Sequence, residues 1–164
     1  MEDTSDRRMT IAVAAIGTVA VLVFALLPVI SGVLADKFVL GDLQTGVAAT
    51  AYFAAYAVIT STSELWVRRF IWGKLLKLGF VAVIIGLIPC VFAESFTAAQ
   101  ISLALVGVGA GLLFPISFTM ASEMRNADRV FAIKLTAEQL VPAAMLFLLT
   151  SSFLFTLIFS WVFC

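Results

Sequence analysis

The chain has no histidine, only two cysteines and little charge: 12% of its 164 residues are Asp, Glu, Lys or Arg. Without histidine, and with Cys90 and Cys164 far apart in apolar runs, the usual zinc, haem and iron–sulfur ligand sets are missing. No metal or cofactor is therefore expected. Two isolated thiols in hydrocarbon read as small packing residues rather than a disulfide framework. There is no Ser/His/Asp set and no glycine-rich phosphate loop ending in Lys-Ser/Thr, so no enzyme is expected. An excess of one charge sign is missing too, since ten acids balance ten bases. The basic stretches are short and broken by apolar residues, which argues against a nucleic-acid surface.

What remains is hydrocarbon. Hydrophobic residues make up 63% of the chain and its mean hydropathy is +1.15. A soluble domain has about 45–50% apolar and about 25% charged residues. This chain lacks the polar surface to cover a core in water, so the lipid bilayer is its first expected partner and the class is all-α membrane protein.

A membrane-crossing helix needs about 20 mainly apolar residues. Five stretches qualify, at about 9–35, 43–63, 75–93, 98–121 and from 135 into the C-terminal run. Inside a bilayer each span has to satisfy its own backbone, which makes them helices. The first apolar run, about 25 residues, exceeds the h-region of a cleavable signal, and an uncleaved span is expected there. The final run carries one charged side chain, Glu138, over about 30 residues, and as one helix would be about 45 Å long. The polar trio Thr150-Ser151-Ser152 is the expected outer boundary. Residues 150–164 form an aromatic-rich tail expected to lie in the interface or turn back.

The cations fall on one side. Arg7 and Arg8 precede the first span; Arg68, Arg69, Lys74 and Lys77 separate the second and third; Arg125, Arg129 and Lys134 separate the fourth and fifth. The other side has Lys37 beside Asp36, Asp42 and Glu94. The positive-inside rule then predicts a cytoplasmic N-terminus (residues 1–8) and a multi-pass protein of the plasma or inner membrane. The loop "ELWVRRFIWGKLLKLG" (64–79) reads as a topology anchor, with Trp66 and Trp72 at headgroup depth and the lysines reaching out to the interface.

Four patterns occur in a fixed order: "GDLQTGVAATAYFAAYAVITST" in the second span, "WVRRFIWGKLLKLG" after it, "LVGVGAGLLFPISFTMA" in the fourth, and "NADRVFAIKLTAEQLVPAAMLFLL" in the fifth. In order and spacing residues 9–149 resemble the N-terminal part of a major facilitator superfamily (MFS) transporter. The resemblance implies a five-helix partial N-terminal bundle and alternating-access movement of an unknown small solute between two pseudo-symmetric bundles. It also implies a complementary C-terminal half as partner, and on its own terms a truncated chain, inactive alone. In the family the loop between helices two and three helps set the conformational switch. Here that motif falls on Trp66, Arg68, Arg69, Trp72 and Lys74, with Arg68 where the family has aspartate. The family's intramembrane arginine of helix four is replaced by Leu103.

The helix-four cluster is Gly107, Gly109 and Gly111; Gly107 and Gly111 form a G-x-x-x-G face suited to close helix packing. Pro28 and Pro115, in "LLPVIS" and "LLFPIS" of oppositely directed spans, each free a carbonyl and can bend a helix beside a cavity. The candidate substrate or coupling residues are Glu138, Gln139, Tyr52 and Tyr56. An ionisable group in hydrocarbon costs about 2.5–3.5 kcal/mol on insertion scales and needs a reason. For Glu138 there are two: an interfacial pair with Lys134 four residues earlier, or a cavity-facing carboxylate that takes a cation, a proton or the substrate. Tyr52 and Tyr56 share a helix face, and Glu64 is placed to pair with Arg68. The alternative function is a small non-transporting membrane protein that serves as an interaction or assembly partner through its glycine faces.

Overall fold

The computed structural model describes the backbone of residues 2–163 and the side chains of residues 6–41 and 43–151. Within that range the structure is helical: α1 (Glu2–Phe38), α2 (Asp42–Ser61), the single turn α3 (Ser63–Trp66), α4 (Trp72–Phe92), α5 (Phe96–Ser122) and α6 (Ala127–Phe163). Among the described residues, five helices are long and apolar enough to cross a membrane. They coincide with the five expected spans. Their ends overshoot where the backbone goes on coiling beyond the apolar stretch, as at both ends of α1.

The chain direction alternates. At one end the start of α1 meets the α5–α6 turn, where Arg7 and Arg129 line one cleft. At the other, the Lys37 ammonium donates to the Val91 carbonyl at 3.2 Å, and Phe38 packs edge-on against Phe96 at 6.4 Å. The cations of the N-terminus and of the α2–α4 and α5–α6 connections thus gather at one end, with Lys37 at the other, as the count along the sequence requires. Lys134 is a correction to that count. It is 0% exposed, inside the bundle and well within α6, and does not belong to the loop.

Helix α5 is the hub, packed against α1, α2 and α4, while α6 leans mainly on α1. The glycines explain the hub. Residues two apart on a helix point about 200° apart, residues four apart nearly the same way. Gly107 and Gly111 therefore face one neighbour and Gly109 the opposite one. A methyl on Gly107 would run into the Tyr52 carbonyl, and one on Gly111 would lie 2.9 Å from Ile59 Cβ, both on α2. A methyl on Gly109 would lie 2.7 Å from the Gly79 carbonyl oxygen of α4. Gly86 of α4 answers in kind, backing onto the Ser102 carbonyl of α5. Where lipid and core are equally apolar, such close backbone approach is what holds helices together. Leu103 lies at the centre of this core, fully buried.

Helix α1 ends against sequence preference. Leu40 N–H bonds back to the Ala35 carbonyl at 2.9 Å, and Val39 takes φ 53, the left-handed conformation that glycine usually supplies at this position. A β-branched residue is strained there by about 1–2 kcal/mol. Val39 is 90% exposed, so no packing offsets that cost. Val39→Gly is expected to raise stability by about 1 kcal/mol, read as a higher midpoint in reversible unfolding from mixed micelles; a lower midpoint would contradict the strain.

Helix α6 does not stop at the Thr-Ser-Ser trio. The Thr150 hydroxyl donates to the Leu146 carbonyl at 2.8 Å and Ser151 to the Leu148 carbonyl at 3.0 Å. Hydroxyls satisfied this way ask for no water and leave the helix intact. The backbone coils on to Phe163. The side chains of residues 152–164, Cys164 included, lie outside the described residues.

Candidate functional site

Helix α6 touches the bundle along one narrow stripe. Its buried described residues are Val130, Lys134, Glu138 and Pro142, spaced four apart. Two of the four are charged, at the middle of the seam, where a membrane protein would be expected to place small or apolar side chains.

Lys134 and Glu138 are 0% and 2% exposed. The Lys134 ammonium donates to Glu138 Oε1 at 2.5 Å. The pairing is the expected one, and the pair lies inside the bundle, against α1 and α5. The carboxylate fits because α1 has Gly17 opposite: Glu138 Oε1 occupies the place that a Cβ on Gly17 would take. The ammonium sits 3.6 Å from the ring centroid of Phe118 and 5.3 Å from that of Phe114, both on α5. A desolvated cation on an aromatic face gains about 2 kcal/mol, which offsets part of the lost hydration. Three helices thus enclose one ion pair.

The rings continue away from the pair. Phe118 contacts Phe131 of α6 at 5.7 Å and Phe114 at 4.7 Å, and Phe114 contacts Tyr56 of α2 at 6.0 Å. Tyr56 stacks on Tyr52, 6.0 Å apart and 14° from parallel. Tyr52 is fully buried, and its hydroxyl has no hydrogen-bond partner among the described residues. The two tyrosines share one helix face, with Tyr56 one ring and Tyr52 two rings beyond the ammonium.

Other expected residues lie elsewhere. Gln139 is exposed, on the outer face of α6 in a shallow hollow with Leu135 and Leu140, and is not brought to the pair. Glu64 and Arg68 line one cleft with Pro115 and Thr119, both exposed and with no ion pair between them. Arg69 and Lys74 are exposed at the same cationic end. Trp66 and Trp72 are half-buried, and the Trp72 indole closes the loop by donating to the Val67 carbonyl at 2.8 Å. Pro28 lines a crevice of about 560 Å³ between α1 and the start of α2, and Pro115 the cleft at the far end of α2. Cys90 is free and buried, and no group of three or more His, Cys, Asp or Glu able to hold a metal occurs among the described residues.

Gly17, Phe114 and Phe118 are the site residues that sequence reasoning passed over. Gly17 had a signal, as a glycine in the interior of a helix. The two phenylalanines, four apart around Pro115, gain meaning only once α6 is known to dock beside them. No known protein family, curated protein or solved structure matches the chain.

Proposed function

We propose that these helices form one half of an alternating-access carrier for a small solute, with Lys134 and Glu138 as its charge-handling centre. The observation that carries this reading is the buried pair itself. Ionisable groups within spans are rare and mark ion or substrate pathways, and a buried pair is seldom more stable than an apolar replacement. Its presence at the seam of α1, α5 and α6 favours a working role. In the conformation described, the pair is shut off from both ends. In a cycle, a positively charged species, whether solute, coupling cation or proton, would compete with Lys134 for the Glu138 carboxylate. The ammonium would stay on the Phe118 and Phe114 rings, ready to close the pair again. Tyr52 and Tyr56 would continue the polar path along α2.

On this reading the cationic end faces the cytoplasm of a cell membrane. The solute path lies between this bundle and a second one, as in transporters built from paired repeats. The order of motifs from α2 to α6 and the proline-lined crevices at opposite ends of α2 support the MFS-type arrangement. The assembly-partner reading loses its main feature, because Gly107, Gly109 and Gly111 are covered by α2 and α4 of the same chain.

The test is a panel of labelled solutes offered to vesicles from cells that naturally make the chain, with and without its gene. At least one flux is expected to depend on the gene, while the purified chain alone in liposomes should move none. A panel indifferent to the gene, or turnover by the chain alone, would overturn the reading.

A further inference from the structure

The cationic end holds a second feature, independent of any transport role. A cleft of about 570 Å³ lies between the start of α1 and the α5–α6 turn, lined by Arg7, Arg125 and Arg129 together with Asp6, Ile11 and Ile133. Its walls repeat one pattern. On α1, Arg7 stands four residues before Ile11; on α6, Arg129 stands four residues before Ile133. Residues four apart share a helix face, and α1 and α6 both begin at this end. Each helix therefore presents a guanidinium at the surface and an aliphatic side chain one turn deeper. All four are exposed, with Ile11 at 58% and Ile133 at 41%.

We propose that this cleft binds the headgroup of an anionic glycerophospholipid. The phosphate would lie between Arg7 and Arg129, with Arg125 beside it, and an acyl chain would run down over Ile11 and Ile133. Arginine forks match phosphate oxygens in pairs. The first turn of α6, from Ala127, opens into the same region, and a helix N-terminus adds free N–H groups and a positive dipole end. Asp6 in the lining and Asp128 in the first turn of α6 oppose the anion, and the paired forks of Arg7 and Arg129 are what would hold it. Basic pockets between transmembrane helices are established places for such headgroups. The depth pattern singles out a lipid over a soluble phosphate, because only a lipid has a use for the exposed isoleucines. Bound there, it would tie the start of α1 to the α5–α6 turn.

The test uses the full chain in nanodiscs of phosphatidylcholine with a minor share of phosphatidylglycerol, and native mass spectrometry to count retained lipids. The wild type should retain phosphatidylglycerol well above its share. Each arginine near the surface is worth about fivefold, so the double variant Arg7→Gln/Arg129→Gln should lose about twenty-fivefold. Arg68→Gln/Arg69→Gln removes the same charge from the other loop and should leave retention unchanged. Millimolar inorganic phosphate should not displace the lipid. No preference in the wild type overturns the proposal without reference to any variant. Equal loss in both double variants would mean diffuse surface charge, and displacement by phosphate would mean a soluble-anion site; either result also overturns it.

Discussion

Lys134→Met is expected to destabilise the bundle by about 3–5 kcal/mol, because it leaves the Glu138 carboxylate buried against Gly17 with no counter-charge. Glu138→Gln should cost less. Its amide oxygen can still accept from the ammonium, which also keeps its seat on Phe118. The double variant Lys134→Met/Glu138→Leu should come back to within about 1 kcal/mol of the wild type or exceed it, since apolar replacement of a buried pair is often neutral or stabilising. The measurement is a double-mutant cycle in reversible micelle unfolding. Additive single effects would mean that the two side chains do not depend on each other, and the site as described would be wrong.

Gly109→Val should have the second-largest effect. A Cβ there would meet backbone on α4, the Gly79 carbonyl oxygen at 2.7 Å and the Val83 amide nitrogen at 2.8 Å. Backbone cannot rotate out of the way, so α4 must move off the hub. A loss of about 3 kcal/mol is expected, the upper end of the range for overpacking. Gly46→Ala is the control. Nothing lies within 4 Å of a Cβ at Gly46, and alanine in a helix is favoured over glycine by up to about 1 kcal/mol. Equal behaviour of the two variants in a thermal unfolding series would contradict the glycine-built seam between α4 and α5.

The contrast between these glycines shows what a membrane sequence discloses. Length and apolarity mark the spans, because a bilayer imposes both, and the cation count orders their ends. The hub could be read in part, since glycines at 107, 109 and 111 permit close neighbours on two faces. Which of the isolated glycines are used could not: Gly46 and Gly86 look alike until α5 is seen against one of them. Helix faces were harder still. In water the buried face of a helix is apolar and the exposed one polar, but here lipid leaves both apolar. Nothing in the pattern of α6 reveals that Val130, Lys134, Glu138 and Pro142 form its buried stripe. Lys134, seven residues from the helix start, was therefore counted with the loop cations. Its burial follows from the docking of α6 on α1, with Gly17 making room for its partner. Helix α6 runs on through Thr150 and Ser151 for a related reason, as their hydroxyl groups are satisfied by the helix that carries them.

In the proposed carrier, Glu138 handles charge and does not merely hold α6 in place. The most direct test is flux in native membrane vesicles carrying Glu138→Gln, for a solute whose movement depends on the gene. The substitution keeps side-chain size and a hydrogen-bond acceptor for Lys134, so the protein should reach the membrane at wild-type levels. Flux is expected to fall at least tenfold. Flux at the wild-type rate, with normal protein abundance, would show that the carboxylate charge has no part in transport.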